Sequence, residues 1–119
     1  MSNHNKQLGA WGEAIAAKFY ADKGYRVIEQ NYRRRFGEID LICAKGKEIV
    51  FVEVKTRSTD FLPAEKAVGF EKRDTIKRVI KYYIQSKNVG RDMDCRFDII
   101  AVEKNGEDVN VRQQENVLL

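Results

Sequence analysis

Two carboxylates and a lysine in the middle of this sequence have types and spacing that could carry out chemistry. Asp40 follows the segment Gly37-Glu38-Ile39, and twelve residues separate it from Glu53, with Lys55 two positions further on. Because side chains alternate along a β-strand, Glu53 and Lys55 project from the same face. A short hairpin would bring Asp40 alongside them. Three charged groups are therefore predicted to meet at the end of an otherwise apolar strand.

Such charges are costly to bury beside a sheet unless they are paired or bind a cation. A hard divalent cation such as Mg²⁺ binds carboxylate oxygens and relieves the repulsion between Asp40 and Glu53. It could also activate a water molecule and stabilise charge on a phosphoryl group. Lys55, a point charge on a flexible stem, could orient that water or offset charge on the phosphate. The alternative is a surface ion pair between Glu53 and Lys55, with Asp40 opening a turn.

Other candidate groups are fewer. Glu38 lies two residues from Asp40 and is either a competing acid or the partner of a nearby arginine. The only histidine, His4, lies near the start of the chain and makes a poor general base. Cys43 and Cys95 are far apart and form no C-x-x-C pair, so a disulfide framework or a zinc site has little support, and we expect two buried thiols.

Basic residues flank this acidic stretch. The formal net charge is +4, but the balance is +4 over residues 1–36, −2 over 37–65, +6 over 66–91 and −4 over 92–119. Lysine and arginine contacts to phosphates position a nucleic acid without reading its sequence. The candidates for such contacts are Arg33, Arg34, Arg35, Arg57, Lys72 and Arg73. For Lys77 and Lys81, also in the second basic segment, an ordinary solvated helix face is the preferred interpretation.

Apolar periodicity and turn residues predict the elements that must position these groups. Leu8, Trp11, Ile15 and Phe19 form the apolar stripe of a first helix from Gln7 to about Lys23, with Asn5 as a possible cap and Gly24 as its end. Against that stripe, Glu13 points to solvent. The later elements are strands at Tyr25–Tyr32, Ile39–Cys43 and Glu48–Thr56, a loop at 57–64, a helical turn near Ala64–Val68, a helix at Phe70–Lys87, a strand at Arg96–Val102 and a short edge strand around Val109–Val111.

The resulting order, α-β-β-β-α-β, predicts an α/β fold with a central mixed sheet flanked by helices. The 119 residues, 43% of them apolar, are enough for one domain with its own core, over residues 1–119. No uncharged stretch is longer than Gln7–Gly12, which excludes a membrane-spanning helix. The first residues lead into an amphipathic pattern rather than an apolar signal core, so we expect a cytoplasmic protein.

The segments Gly-Glu-Ile-Asp-Leu-Ile at 37–42 and Phe-Val-Glu-Val-Lys-Thr-Arg at 51–57 resemble the YraN family of predicted endonucleases, within the PD-(D/E)XK nuclease superfamily. The resemblance covers most of the chain; it continues through Gly9–Ala14, Gly24-Tyr25, Asn31-Tyr32, Lys72 and Arg96-Phe97-Asp98. Two departures are Ile39, where the superfamily name has proline, and a C-terminal tail that follows the family ending only loosely.

The arrangement is also similar to that of archaeal Holliday-junction resolvases, which are small metal-dependent homodimers. By this resemblance Glu13 is an acid on the first helix that joins Asp40 and Glu53 as a ligand of Mg²⁺ or Mn²⁺. Lys55 is then the catalytic lysine. The resemblance implies a restriction-endonuclease-like core, hydrolysis of DNA phosphodiesters, branched or structured DNA as a candidate substrate, and a possible homodimer.

Two other interpretations stay open. A DNA-binding module could keep the nuclease fold without cutting, and a protein-interaction domain could use its basic helix to contact an acidic partner. The acid, acid and lysine set favours the nuclease over both, because a module that only binds has no need of acids that face phosphate.

Overall fold

A five-stranded mixed sheet with one helix on each face forms the computed structural model, which describes residues 3–58 and 70–119. The elements are α1 (Asn3–Asp22), β1 (Arg26–Arg34), β2 (Gly37–Lys45), β3 (Glu48–Ser58), α2 (Phe70–Ser86), β4 (Asp94–Asn105) and β5 (Asp108–Gln114). The predicted α/β class and the α-β-β-β-α-β order are confirmed, and the edge strand predicted around Val109–Val111 is β5.

The strands lie in the order β1-β2-β3-β4-β5. Only β3 and β4 run parallel, and α2 makes the crossover between them, as a parallel connection requires. Strand β3 is central because it is apolar on both faces. Val50 and Val52 pack in the cluster under α1, whereas Ile49 and Phe51 pack in the cluster under α2.

Several boundaries differ from those predicted. Helix α1 begins at Asn3, so Asn5 lies inside it and is not its cap. Arg57 and Ser58 belong to β3 and pair in register with β4, because backbone pairing overrides their loop-like composition. The rest of the predicted loop, and the turn at Ala64–Val68, lie outside the described residues. Both thiols are free, but Cys95 is exposed rather than buried.

Helix α1 ends as its glycine predicts. Gly24 adopts φ +92°, and the amides of Gly24 and Tyr25 donate to the carbonyls of Ala21 and Tyr20. This is the Schellman pattern, which needs a left-handed residue at the position of Gly24.

The buried face of α1 differs from the predicted stripe. Gly12, Ala16 and Tyr20 are its most deeply buried positions, whereas Trp11 is only partly buried. A Cβ atom on Gly12 would overlap the side chain of Thr56 in β3, so the helix approaches the sheet closely there. Small residues thus set the rotation of the helix.

A second glycine lets α2 approach the sheet. A Cβ atom on Gly37, the first residue of β2, would overlap the side chain of Thr75 in α2. This close approach brings the N-terminal half of α2 against the end of β2 where the predicted acids lie.

A buried polar network ties the C-terminal part of the sheet to α1. The carboxylate of Asp98, fully buried in β4, accepts hydrogen bonds from Tyr20 Oη at 2.7 Å, Arg96 Nε at 3.0 Å and the Asn116 amide at 2.9 Å. Burial by itself would raise the pKa of Asp98, but the hydrogen bonds from Arg96 and Tyr20 outweigh it and hold the pKa below 3.8.

Neither α1 nor α2 has the length and apolarity that crossing a membrane would require.

Candidate active site

Strands β2 and β3 separate where the predicted site begins. Their last paired residues are Leu41 and Val52. Beyond that point, Asp40 Oδ2 accepts a hydrogen bond of 2.7 Å from the backbone amide of Val54. The side chain thus replaces a backbone acceptor and satisfies an amide that the separation would otherwise leave open. The opening between the strands exposes one edge of β3 to the site.

Glu53 faces this opening from β3. It is buried, with only 8% of its side chain exposed, and its Oε1 lies 2.6 Å from Nζ of Lys72 in α2. The two residues and Asp40 line a cleft of about 320 Å³. The other lining residues are Gly37, Glu38, Thr75 and Ile76.

The environment of Asp40 disfavours its negative charge. Burial, and then the nearby charge of Glu53, raise its pKa to about 7, despite the stabilising hydrogen bond from Val54. Glu13 and Glu38 add smaller repulsions. A cation placed between Asp40 and Glu53 would remove the main repulsion.

The apolar stripe predicted that Glu13 points to solvent, and this prediction is wrong. It is partly buried, because it lies on the same side of α1 as Ala16 and Tyr20. The Asn31 side-chain amide, oriented to satisfy both neighbours, donates from its nitrogen to Glu13 Oε1 and Glu38 Oε1, each at 3.2 Å. Burial raises the pKa of Glu13, and the charges of Glu38 and Glu53 add to it. Glu13 therefore lies at the border of the acidic site without lining the cleft.

The carboxylates at the cleft suit a hard divalent cation that takes its other ligands from water or substrate. Asp40 and Glu53 offer carboxylate oxygens, the ligand type that Mg²⁺ prefers. No three Asp, Glu, His or Cys side chains come close enough to form a complete metal cage within residues 3–58 and 70–119. Mg²⁺ commonly binds through one or two carboxylates and takes its remaining ligands from water and substrate phosphate. A site of this type matches the two acids at the cleft.

The remaining predicted residues have varied surroundings. Lys55 is partly buried in β3, two residues after Glu53, and so on the same strand face. Arg33 forms an ion pair with Glu38 at 3.1 Å, which confirms one of the two roles expected for Glu38. Arg35 is exposed in the turn between β1 and β2.

Two of the predicted phosphate-binding residues contact other parts of the chain. Arg57 Nη1 lies 3.3 Å from Glu103 in β4, and Arg73 Nη1 donates to the carbonyl of Leu118 at 3.5 Å. Lys72 contacts Glu53 at the cleft, so the structure brings it to the acidic site itself rather than to a separate basic surface.

Asn31 and Lys72 have site roles that the residue pattern did not assign. Asn31 has φ +52° in the middle of β1, where β1 and β2 face the site. A non-glycine residue in the left-handed region is uncommon, and Asn tolerates it best. The sequence carries no sign of this conformation. Lys72 was recognisable only as one cation among several in a basic segment.

Comparison with known proteins places this sequence in a family. Residues 12–102 match the model of the uncharacterised protein family UPF0102. A UPF0102 protein of Alkaliphilus oremlandii is 43% identical over 114 residues, which cover 94% of this chain and 97% of the relative. A UPF0102 protein of Moorella thermoacetica is 45% identical over 104 residues, covering 86% and 85%. A third, from Caldanaerobacter subterraneus, is 43% identical over 117 residues, covering 97% and 94%. The chain therefore belongs to UPF0102, the YraN family that its sequence motifs resemble.

Proposed function

We propose that this protein is a Mg²⁺- or Mn²⁺-dependent endonuclease that hydrolyses DNA phosphodiesters. The observation that carries the proposal is the convergence of Asp40 and Glu53 on one cleft, from two strands that separate just before it. Two neighbouring carboxylates at a cleft are costly unless a cation offsets their charge. Their oxygens suit a hard cation, and the family resemblance assigns the same positions to a nuclease site.

In the proposed reaction, a water oxygen attacks the phosphorus atom and releases one proton to solvent, and the bond from phosphorus to the leaving sugar oxygen breaks. The leaving oxygen takes a proton from solvent. When bound, the divalent cation supplies Lewis-acid stabilisation of the phosphate charge. Asp40 and Glu53 hold it, with Glu13 as an additional acid, and Lys55 orients the attacking water or offsets charge on the phosphate.

The basic residues hold the DNA. Arg35 is exposed at the β1–β2 turn, next to Gly37 at the mouth of the cleft. Arg33, Arg34, Arg57, Lys72 and Arg73 complete the proposed set of phosphate contacts. Three of them have acidic partners in the described structure, so contact with phosphate competes with those ion pairs. A homodimer is the assembly that the resemblance suggests.

One observation favours a second candidate, a DNA-binding module that keeps the fold without cutting. The ammonium of Lys72 lies 2.6 Å from Glu53, where it already neutralises one of the two carboxylates. If that ion pair persists, the cleft needs no metal, and the basic residues alone account for binding.

Cleavage assays on duplex, branched and single-stranded DNA with Mg²⁺ or Mn²⁺ test the proposal. We expect cleavage by the wild type and its loss in Asp40→Ala and Lys55→Ala. Glu107→Gln, an exposed acid in the turn between β4 and β5, is the matched control and should cut normally. Equal activity in all four proteins would overturn the assignment of the site. Salt-dependent binding without cleavage, and no Mg²⁺ binding by calorimetry, would establish the second candidate.

A further inference from the structure

Arginine and aromatic side chains pack together beside the cleft. Arg34 lies between two rings, with its guanidinium carbon 4.5 Å from the centre of Tyr32 and 4.8 Å from that of Tyr82. The ring of Tyr82 meets Phe36 edge to face at 6.1 Å, and Arg78 covers Phe36 at 4.8 Å. These five residues, Tyr32, Arg34, Tyr82, Phe36 and Arg78, form what we call the arginine–aromatic ladder.

The ladder continues from the cleft along one side of α2. Lys72 and Thr75 line the cleft, and Arg78 and Tyr82 follow at helical spacing on the same side of the helix. From Lys72 to Tyr82 the helix rises about 15 Å. Four nucleotides of a stacked strand, at about 3.4 Å each, would span a similar length.

The ladder is positively charged and partly open to solvent. Neither Arg34 nor Arg78 forms an ion pair with any acid in the described part of the chain. Arg34 uses Nη1 for a neutral acceptor, the carbonyl of Arg33, and its Nε has no hydrogen-bond partner among the described residues. Tyr82 is 41% exposed, one of the few large apolar side chains to be so open.

Contacts with the rings stabilise the two arginines, but they leave the guanidinium charges without an acid and the ring of Tyr82 open to solvent. Cations without acids suit phosphates, and the exposed ring of Tyr82 suits the face of an unpaired base. A fully paired duplex hides those faces inside its stack, so the aromatic half of the ladder would contribute nothing to duplex binding.

We infer that the arginine–aromatic ladder binds unpaired nucleotides of a strand that leads into the cleft. Tyr82 stacks on an unpaired base, Phe36 supports the ring of Tyr82 from its edge, and Arg34 and Arg78 contact the phosphates. The inference rests on the proposed function for the cleft but names a narrower substrate class, nucleic acid with a single-stranded segment beside the scissile phosphate.

Binding measured with EDTA present separates this inference from cleavage. The probes are a fluorescently labelled single-stranded oligodeoxythymidine and a blunt duplex of the same length. Tyr82→Leu keeps an apolar side chain and removes the ring, Tyr82→Phe keeps the ring, and Val109→Ala alters an exposed apolar residue on the opposite edge of the sheet. We expect Tyr82→Leu to weaken single-strand binding about tenfold. Duplex binding should not change, and the other two variants should resemble the wild type.

Equal losses for both probes in Tyr82→Leu, or no loss for either, would overturn the inference while leaving the proposed nuclease intact. Tyr82-dependent single-strand binding by a protein that cuts no DNA would support the inference and overturn the nuclease. A wild type that binds neither probe would overturn the inference, and cleavage assays would then judge the cleft separately. The fluorescence of a 2-aminopurine base placed in the single strand reports stacking directly. The wild type and Tyr82→Phe should quench this fluorescence, and Tyr82→Leu should not.

Discussion

Asp40 has two roles at the residue scale. Its carboxylate satisfies the Val54 amide where β2 and β3 part, and it faces Glu53 across the cleft. Asp40 thus stabilises the backbone where the two strands separate, and it is also one of the two candidate metal ligands. A carboxylate can do both because it has two oxygens and several acceptor positions.

Lys72 occupies the Glu53 oxygen that the proposed metal would use. We predict that Lys72→Met tightens Mg²⁺ binding several-fold, because it removes the ammonium that lies 2.6 Å from Glu53 Oε1. Calorimetric titration measures the change. Lys77→Met, which removes an exposed lysine from another side of α2, is the control and should leave the affinity unchanged. Weaker Mg²⁺ binding in Lys72→Met would show that Lys72 instead holds Glu53 in the orientation that the metal needs.

Asp98 should make the fold sensitive to acid. Its pKa is lowered on folding, so its contribution to stability is complete above its unfolded value, near 3.8, and is lost as pH falls through the folded value. At pH 7 we expect Asp98→Asn to lower the free energy of unfolding by about 3 kcal/mol, because Arg96 loses its buried partner. Urea denaturation at several pH values measures this. The difference in free energy of unfolding between Asp98→Asn and the wild type should shrink in acid. A difference that stays constant with pH would contradict the role assigned to Asp98.

At the scale of elements, the apolar periodicity predicted the wrong side of α1 to face the sheet. Large apolar residues of α1 suggested a buried stripe through Trp11 and Phe19, yet these are only partly buried. Gly12 and Ala16 bring the backbone of α1 close to the sheet, and the helix rotates so that these small residues face β3. That rotation carries Glu13 from the predicted solvent side to the acidic site.

The close approach at Gly12 predicts the effect of adding one methyl group. Gly12→Ala should lower the free energy of unfolding by about 2 kcal/mol, because the new Cβ atom overlaps Thr56. Gly9→Ala lies one turn earlier, where a Cβ atom meets nothing within 4 Å, and should stabilise the helix by up to about 1 kcal/mol. Urea denaturation of both variants measures the contrast. Similar effects at the two glycines would rule out close packing as the cause.

At the scale of the whole molecule, the charges are distributed unevenly over the sheet. The basic β1–β2 turn and α2 lie on the side of the cleft, whereas β5, at the opposite edge, belongs to the segment 92–119, which has a net charge of −4. The small total of +4 therefore conceals a basic side and an acidic side. In the proposed function, this distribution would orient DNA with its phosphates toward the cleft.

The salt dependence of DNA binding tests this orientation. Arg35→Gln should reduce the slope of log K against log salt for a duplex by about 0.9, the change expected for one lost phosphate contact. Arg112→Gln removes the same charge from β5, at the far edge of the sheet, and should leave the slope unchanged. Fluorescence anisotropy over a salt series measures both. An equal change in the two variants would mean that net charge, rather than the cleft side, governs binding.

The sequence by itself determined the class of fold, the order of the elements and the placement of Asp40 beside Glu53. These rest on local signals, namely apolar periodicity, turn glycines and alternation along a strand. Tertiary structure alone decided the position of Glu13, the ion pair of Lys72 and the bridging role of Asn31. Each depends on how closely α1 and α2 approach the sheet. That distance is set by close contacts between residues far apart in the chain. The arginine–aromatic ladder has the same origin, because α2 must pack beside the β1–β2 hairpin before its arginines and rings can pack together.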